Sequence, residues 1–154
     1  MMQLVKLVFW VLLCQIPALI GMNIVQHHMT WYHGLQKPMF TPPDWLFGMV
    51  WAVLYILLAV SAYYLTRKGI NANNRKAFWI FIVQLALNAM WTPVFFGMHQ
   101  LTVSMILVLA MIILTFWYMR VAHKTSRASA WFMVPYAAWI CFAWLLNTGI
   151  WMMN

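Results

Sequence analysis

Five long apolar stretches divide the 154-residue chain, at about residues 4–25, 44–65, 77–96, 101–121 and 130–152. Each is near 20 residues, the length at which an α-helix crosses roughly 30 Å of hydrocarbon. The pattern predicts an all-α fold: an integral membrane bundle of five transmembrane helices forming one domain over residues 1–154. The breaks between stretches carry the punctuation. A cap loop is expected over residues 26–43, stiffened by Pro38, Pro42 and Pro43, with Thr41 or Asp44 as the expected cap of the second helix. Residues 67–76 form a basic loop with Asn71, Asn73 and Asn74, residues 97–100 a tight turn, and residues 123–129 the last connection. The first stretch carries Lys6 but has no small-x-small cleavage site, so it is expected as a retained helix rather than a signal peptide.

Composition strengthens the membrane reading. The chain is 66% hydrophobic and 6% charged, whereas a soluble domain carries about 25% charged residues. Charge then sets the expected orientation. Lys6, Arg67, Lys68, Arg75, Lys76, Arg120, Lys124 and Arg127 fall on one side of a five-span protein, and Lys37 alone on the other. The positive-inside rule puts the N-terminus in the cytoplasm and the C-terminus outside, with the cap facing away from the cytoplasm of a bacterial plasma membrane. No basic stripe interleaved with aromatics runs along one element, so nucleic acid is not an expected partner. Cys14 and Cys141 lie inside predicted spans and act as small hydrophobes.

The spans hold no Lys, Arg, Glu or His at depth, and Asp44, the one acidic residue, stands at the mouth of the second helix. Ion-coupled transport needs a titratable group in the pathway, and a membrane haem carrier needs facing histidines as axial ligands; both classes are disfavoured. His27, His28, His33 and His99 share one end; against the alternative that they catch a metal or haem iron at the cap, they read as solvent-exposed loop residues with no common geometry. No metal site is expected.

The remaining polar residues fall in register. Gln84, Asn88 and Thr92 recur at i, i+4 and i+8, with Trp91 beside them; Trp139, Ala143 and Asn147 repeat the spacing, as do Trp51 and Tyr55. A polar group at bilayer depth requires a partner or a cavity. An amide taken singly reads as an interhelical tie of about 0.6–2 kcal/mol. Two amide-bearing faces, each with an indole one turn away, point instead to an internal pocket in which indoles stack on a flat ligand. Trp10, Trp117, Trp131 and Trp151 lie near predicted ends and read as interfacial anchors. Pro93 and Pro135 are candidate kinks, and Ala86 and Ala89 a candidate close-packing seam.

Three motifs carry a resemblance. The cap reads WY-x-x-L-x-KP, then TPP, then VW; residues 84–99 read QLALNAMWTPVFFGMH; residues 134–147 read VPYAAWICFAWLLN. Together they resemble the tryptophan-rich sensory protein (TspO/MBR) family, the bacterial relatives of the mitochondrial translocator protein, over three of five helices in order and spacing. The resemblance implies a five-helix bundle, often a homodimer, whose pocket is closed by the first loop and requires no cofactor. It implies porphyrins such as protoporphyrin IX as ligands, together with isoquinoline- or benzodiazepine-type drugs, in contact with membrane lipid. Carried over by motif, ligand-binding residues are Tyr32, Pro42, Trp51, Asn88, Trp91, Trp139, Ala143 and Asn147, and Trp51 and Trp139 take the role of catalytic tryptophans in light- and oxygen-dependent porphyrin breakdown. The terminal LLNTGIWMMN lacks the Tyr and basic residue of the sterol motif in animal members. The implied function is a tetrapyrrole receptor or sensor, with porphyrin-degrading enzyme and passive porphyrin or lipid transporter as the alternatives.

Overall fold

The computed structural model describes residues 2–154 and contains five helices long and apolar enough to cross a membrane. They are α1 (Met2–Gly34), α2 (Asp44–Thr66), α3 (Arg75–Thr92) continued by a π-helical turn (Pro93–Gly97), α4 (Leu101–His123), and a fifth span in two pieces, α5 (Arg127–Phe132) and α6 (Val134–Met153). The two irregularities sit at the two candidate prolines. A proline lacks an N–H and its ring collides with the carbonyl four residues back, so Pro135 interrupts the fifth span at Met133. Pro93 begins the wider turn, closed by Met98 N–H donating to the Pro93 carbonyl at 2.9 Å.

α1 overruns its expected end. Residues 26–34, expected in the cap loop, are helical, and the connector shrinks to residues 35–43. Loss of hydrophobicity after Val25 marks only where the chain leaves apolar solvent. Nothing in VQHHMTWYH breaks a helix, and the first breaker reached is Gly34. At 1.5 Å per residue, 33 residues extend about 50 Å, well beyond the hydrocarbon. Neither Thr41 nor Asp44 caps α2: the N-cap is Pro43, Asp44 lies in the first turn, and the Thr41 hydroxyl donates to the Pro38 carbonyl at 2.7 Å. A carboxylate in that turn still complements the helix dipole.

The helices close into a ring in the order α1, α2, α5/α6, α4, α3. The end bearing the eight clustered cations is packed tightly, because small residues let the backbones approach: Ala59, Ser61 and Ala62 on α2, Ala77 on α3, Ala122 on α4, and Ser129 and Ala130 on α5 are all buried. Ser61, Tyr118 and Ser129 there satisfy one another, while the buried Thr115 hydroxyl one turn before Tyr118 has no partner. Ser61 donates to the Ser129 carbonyl at 2.8 Å, and its Oγ stands 2.9 Å from Tyr118 Oη, itself 2.7 Å from Ser129 Oγ. Trp10, expected as an interfacial anchor, is instead part of this core. Only 5% exposed, its indole N–H donates to Thr66 Oγ1 at 2.8 Å across 56 residues. Trp117, Trp131 and Trp151 do lie on the outside of the bundle.

At the opposite end the ring loosens. α2 packs along α5 but meets α6 at few points, so the α2–α6 seam parts beyond the Pro135 break. The connector straps this end. Asn154 Oδ1 accepts from the Gln36 N–H at 3.0 Å while its Nδ2 donates to the Gln36 carbonyl at 2.9 Å, and Phe40 meets Phe142 edge to face at 6.2 Å. Gly149 makes the approach possible: a Cβ there would overlap Pro38 Cγ. Gly149→Ala is therefore expected to cost about 1–3 kcal/mol of overpacking, read as a lower detergent-melting temperature and faster proteolysis within residues 35–43. Pro38→Ala, which deletes the obstructing Cγ, should restore much of that loss in the double variant; no restoration would show that Gly149 matters for another reason.

Candidate functional site

A cavity of about 430 Å³ occupies the loosened half of the bundle. Each wall arises from a local feature of its helix. Pro17 and Gly21 are buried on α1, and the small Gly21 lets α3 come close, since a Cβ there would stand 3.3 Å from Thr92 Oγ1. Trp51 and Tyr55, one turn apart on α2, stack with ring centroids 5.4 Å apart. On α3, Trp91 stacks on Phe95 of the π-helical turn at 5.1 Å, so the widened turn brings the Phe95 and Phe96 rings back over the end of the cavity. Trp139 on α6 is held edge to face by Phe47 of α2 at 5.8 Å. An apolar groove of about 460 Å³ lies along the α2–α6 seam, and Trp139 lines both spaces.

Seven of the eight residues singled out for ligand binding share this cavity: Tyr32, Trp51, Asn88, Trp91, Trp139, Ala143 and Asn147. Pro42 does not line it. Pro42 sits half-buried in the connector, whose course is set by the Pro38–Gly149 approach and the Phe40–Phe142 pair. The two tryptophans singled out for catalysis, Trp51 and Trp139, both lie on the wall.

The amides serve two purposes. Asn88 Oδ1 accepts from the Tyr55 hydroxyl at 2.8 Å, and its Nδ2 donates to Tyr136 Oη at 3.1 Å. Gln84 Nε2 donates to the same Tyr136 oxygen. Asn147 Oδ1 accepts from the Ser104 hydroxyl at 3.2 Å, and its Nδ2 donates to the Ala143 carbonyl at 3.2 Å. The amides thus tie α2, α3, α4 and α6 together while two of them face the cavity, and the choice between tie and pocket resolves as both. Tyr136, absent from the expected site, is the hub of this network and fully buried. Its tyrosine in the PY pair gave a motif signal but no spacing signal. Gln15 of α1, an amide alone in an apolar run, also lines the cavity and was legible as an anomaly of that span.

The indole N–H groups of Trp91 and Trp139 are buried without an acceptor, an unusual state for buried donors. At the mouth, His33 Nε2 stands 2.8 Å from Asp44 Oδ2, with both side chains about half exposed at 56% and 48%, so this pair contributes little to stability. Lys37 donates to the Tyr32 carbonyl at 2.9 Å and sits 4.5 Å over the Tyr32 ring. The charged group on the cavity wall is thus the Asp44 carboxylate, with the Lys37 cation over the Tyr32 ring and outside the lining. Among the described residues no three His, Cys, Asp or Glu side chains gather as a metal site.

The model of the TspO/MBR family matches residues 9–152. The chain belongs to that family. It is 38% identical over 133 residues to the tryptophan-rich protein TspO of Archaeoglobus fulgidus, covering 84% of this chain and 83% of the relative. It is 36% identical over 134 residues to the human translocator protein, covering 82% and 76%, and 31% identical over 134 residues to the tryptophan-rich sensory protein of Cereibacter sphaeroides, covering 87% and 82%. This TspO/MBR protein is accordingly an integral membrane protein, with the indole-lined cavity inside its helices.

Tyr136→Phe removes the oxygen shared by two buried amides and leaves their N–H groups unpaired. A loss of about 1–3 kcal/mol is expected, measured by thermal unfolding in detergent. An unchanged melting temperature would remove Tyr136 as the hub.

Proposed function

We propose that this TspO/MBR protein is a membrane receptor or sensor that binds a planar tetrapyrrole such as protoporphyrin IX inside the bundle. The observation that carries the reading is the convergence of three indoles, Trp51, Trp91 and Trp139, on one largely apolar cavity. Its volume of about 430 Å³ falls in the range of roughly 300–1,000 Å³ usual for small-molecule sites. Aromatic faces suit a flat macrocycle, and Lys37, 4.5 Å over the Tyr32 ring that lines the cavity, suits an acidic substituent outside it. The same wall admits isoquinoline- or benzodiazepine-type aromatics. A homodimer follows from the family resemblance. The charge asymmetry supports a cytoplasmic N-terminus in a bacterial plasma membrane, with the cavity end on the far side.

A second reading, light-driven porphyrin breakdown, draws support from Trp51 and Trp139 on the same wall. An electron-rich indole beside an excited macrocycle is a chemically reasonable donor.

Titration of the detergent-purified protein with protoporphyrin IX in the dark tests the first reading. Saturable binding is expected, weakened about 2- to 12-fold by Trp51→Phe or Trp139→Phe, the range for losing one aromatic contact of about 0.5–1.5 kcal/mol. Pro42→Ala, outside the wall, should leave affinity unchanged. Affinity indifferent to both tryptophan variants would move the ligand elsewhere. Product bands that form only under light, and that vanish in either tryptophan variant while dark binding persists, would support the second reading.

A further inference from the structure

We propose that His28 and His99 form a binding site for one divalent transition-metal ion, of the kind imidazole nitrogens favour (Zn2+, Cu2+ or Ni2+), bridging α1 to the turn between α3 and α4. Five histidines are present, and three are otherwise placed. His33 pairs with Asp44, His27 Nδ1 stands 2.7 Å from the Asn23 carbonyl one turn back, and His123 ends α4 at the cationic end. His28 and His99 come from positions 71 residues apart, yet His28 Nδ1 faces His99 Nε2 at 3.2 Å. Both had been expected as loop residues with no common geometry. The extension of α1 brings His28 to the turn that holds His99.

The separation is what a metal requires. Two imidazole nitrogens, each about 2.0–2.1 Å from a tetrahedral ion, stand about 3.3 Å apart. An ion can therefore enter beside the nitrogen–nitrogen line by a small turn of two rings, with no movement of either helix. The chemistry costs little. A hydrogen bond between neutral imidazoles uses one protonated nitrogen and one lone pair; shifting the donor ring to its other tautomer presents two lone pairs to the ion. Imidazole suits Zn, Cu and Ni better than Mg or Ca, which take oxygen.

One partner is also held in place. The His99 ring stacks on Trp31 with centroids 4.0 Å apart and planes 16° apart. Its backbone is left-handed, with φ +55°, a conformation uncommon outside glycine and costing roughly 1–2 kcal/mol. It is enclosed by the Met98 N–H to Pro93 carbonyl bond and the Gln100 N–H to Val94 carbonyl bond at 3.1 Å. Strained residues held this way cluster at functional sites. The site supplies two protein ligands, leaving the other positions to water or an anionic group. Trp31 packs edge to face on Phe95 at 5.6 Å, and Tyr32 beside it lines the cavity, so an ion at this point would fasten α1 to the π-helical turn at the mouth.

This inference rests on no part of the tetrapyrrole reading. The test uses the full chain, free of any histidine tag, in detergent. Calorimetry with Zn2+ is expected to give one ion per chain, and the electron paramagnetic resonance spectrum of the Cu2+ form to show two nitrogen ligands. His28→Gln and His99→Asn should each weaken binding at least about tenfold, a loss no smaller than that from removing a partner of a metal ligand. Asn tolerates the left-handed backbone, and His28→Gln alone decides the matter if the other variant unfolds. His27→Gln and His123→Gln should bind as the parent does. Unchanged affinity in His28→Gln, or an equal loss in His27→Gln, would overturn the proposal.

Discussion

The close approach of α2 to α5 at the cationic end is the contact on which the rest of the bundle depends. Apolar burial drives helices into a membrane but gives little preference among partners there, since lipid is as apolar as leucine. Pairing is decided by fit and by polar groups that have no other partner. Ser61, Tyr118 and Ser129 form such a group, buried at 0% exposure on three elements. Because α5 is fixed against α2 and the fifth span is broken at Met133, α6 leaves on a separate course. The cavity is the space that this departure opens.

Such a space forfeits dispersion contacts along its lining, and it stays open only where stiff walls resist collapse. The stiffening comes from aromatic pairs and from the Tyr55–Asn88–Tyr136–Gln84 chain, which crosses from α2 through α3 to α6. Low dielectric makes such a network strong when complete and costly when broken. The same amides that join the helices thus set the width of the chamber, so cavity width and fold stability are governed by overlapping residues. Trp91 and Trp139 differ: their rings line the chamber, but their N–H groups are covered by protein and make no hydrogen bond.

The connector is held across this end of the bundle by attachment rather than by sequence stiffness alone, and none of residues 35–43 lines the cavity. Three prolines limit its backbone, but its position over α6 comes from the Gln36–Asn154 exchange and from the missing Cβ of Gly149. Pro42, though part of the recognisable cap motif, shapes the strap without reaching the cavity.

The sequence by itself determined the number of spans, the charge asymmetry between the ends and the indoles and amides of the cavity wall, but not the α1 and α4 sides of that wall. Hydropathy reports which solvent a segment prefers, and a period of 3.6 reports which side chains share a face of their own helix. That is why Asn88 with Trp91, and Trp139 with Asn147, were legible as faces turned toward one space. Neither signal says where a helix ends once it leaves the lipid, nor which face meets which. The burial of Trp10 against Thr66, the Tyr136 hub and the meeting of His28 with His99 all depend on partners 48 to 71 residues away. Only the tertiary structure decided them, because a side chain's environment at bilayer depth is set by its neighbouring helices and not by its own.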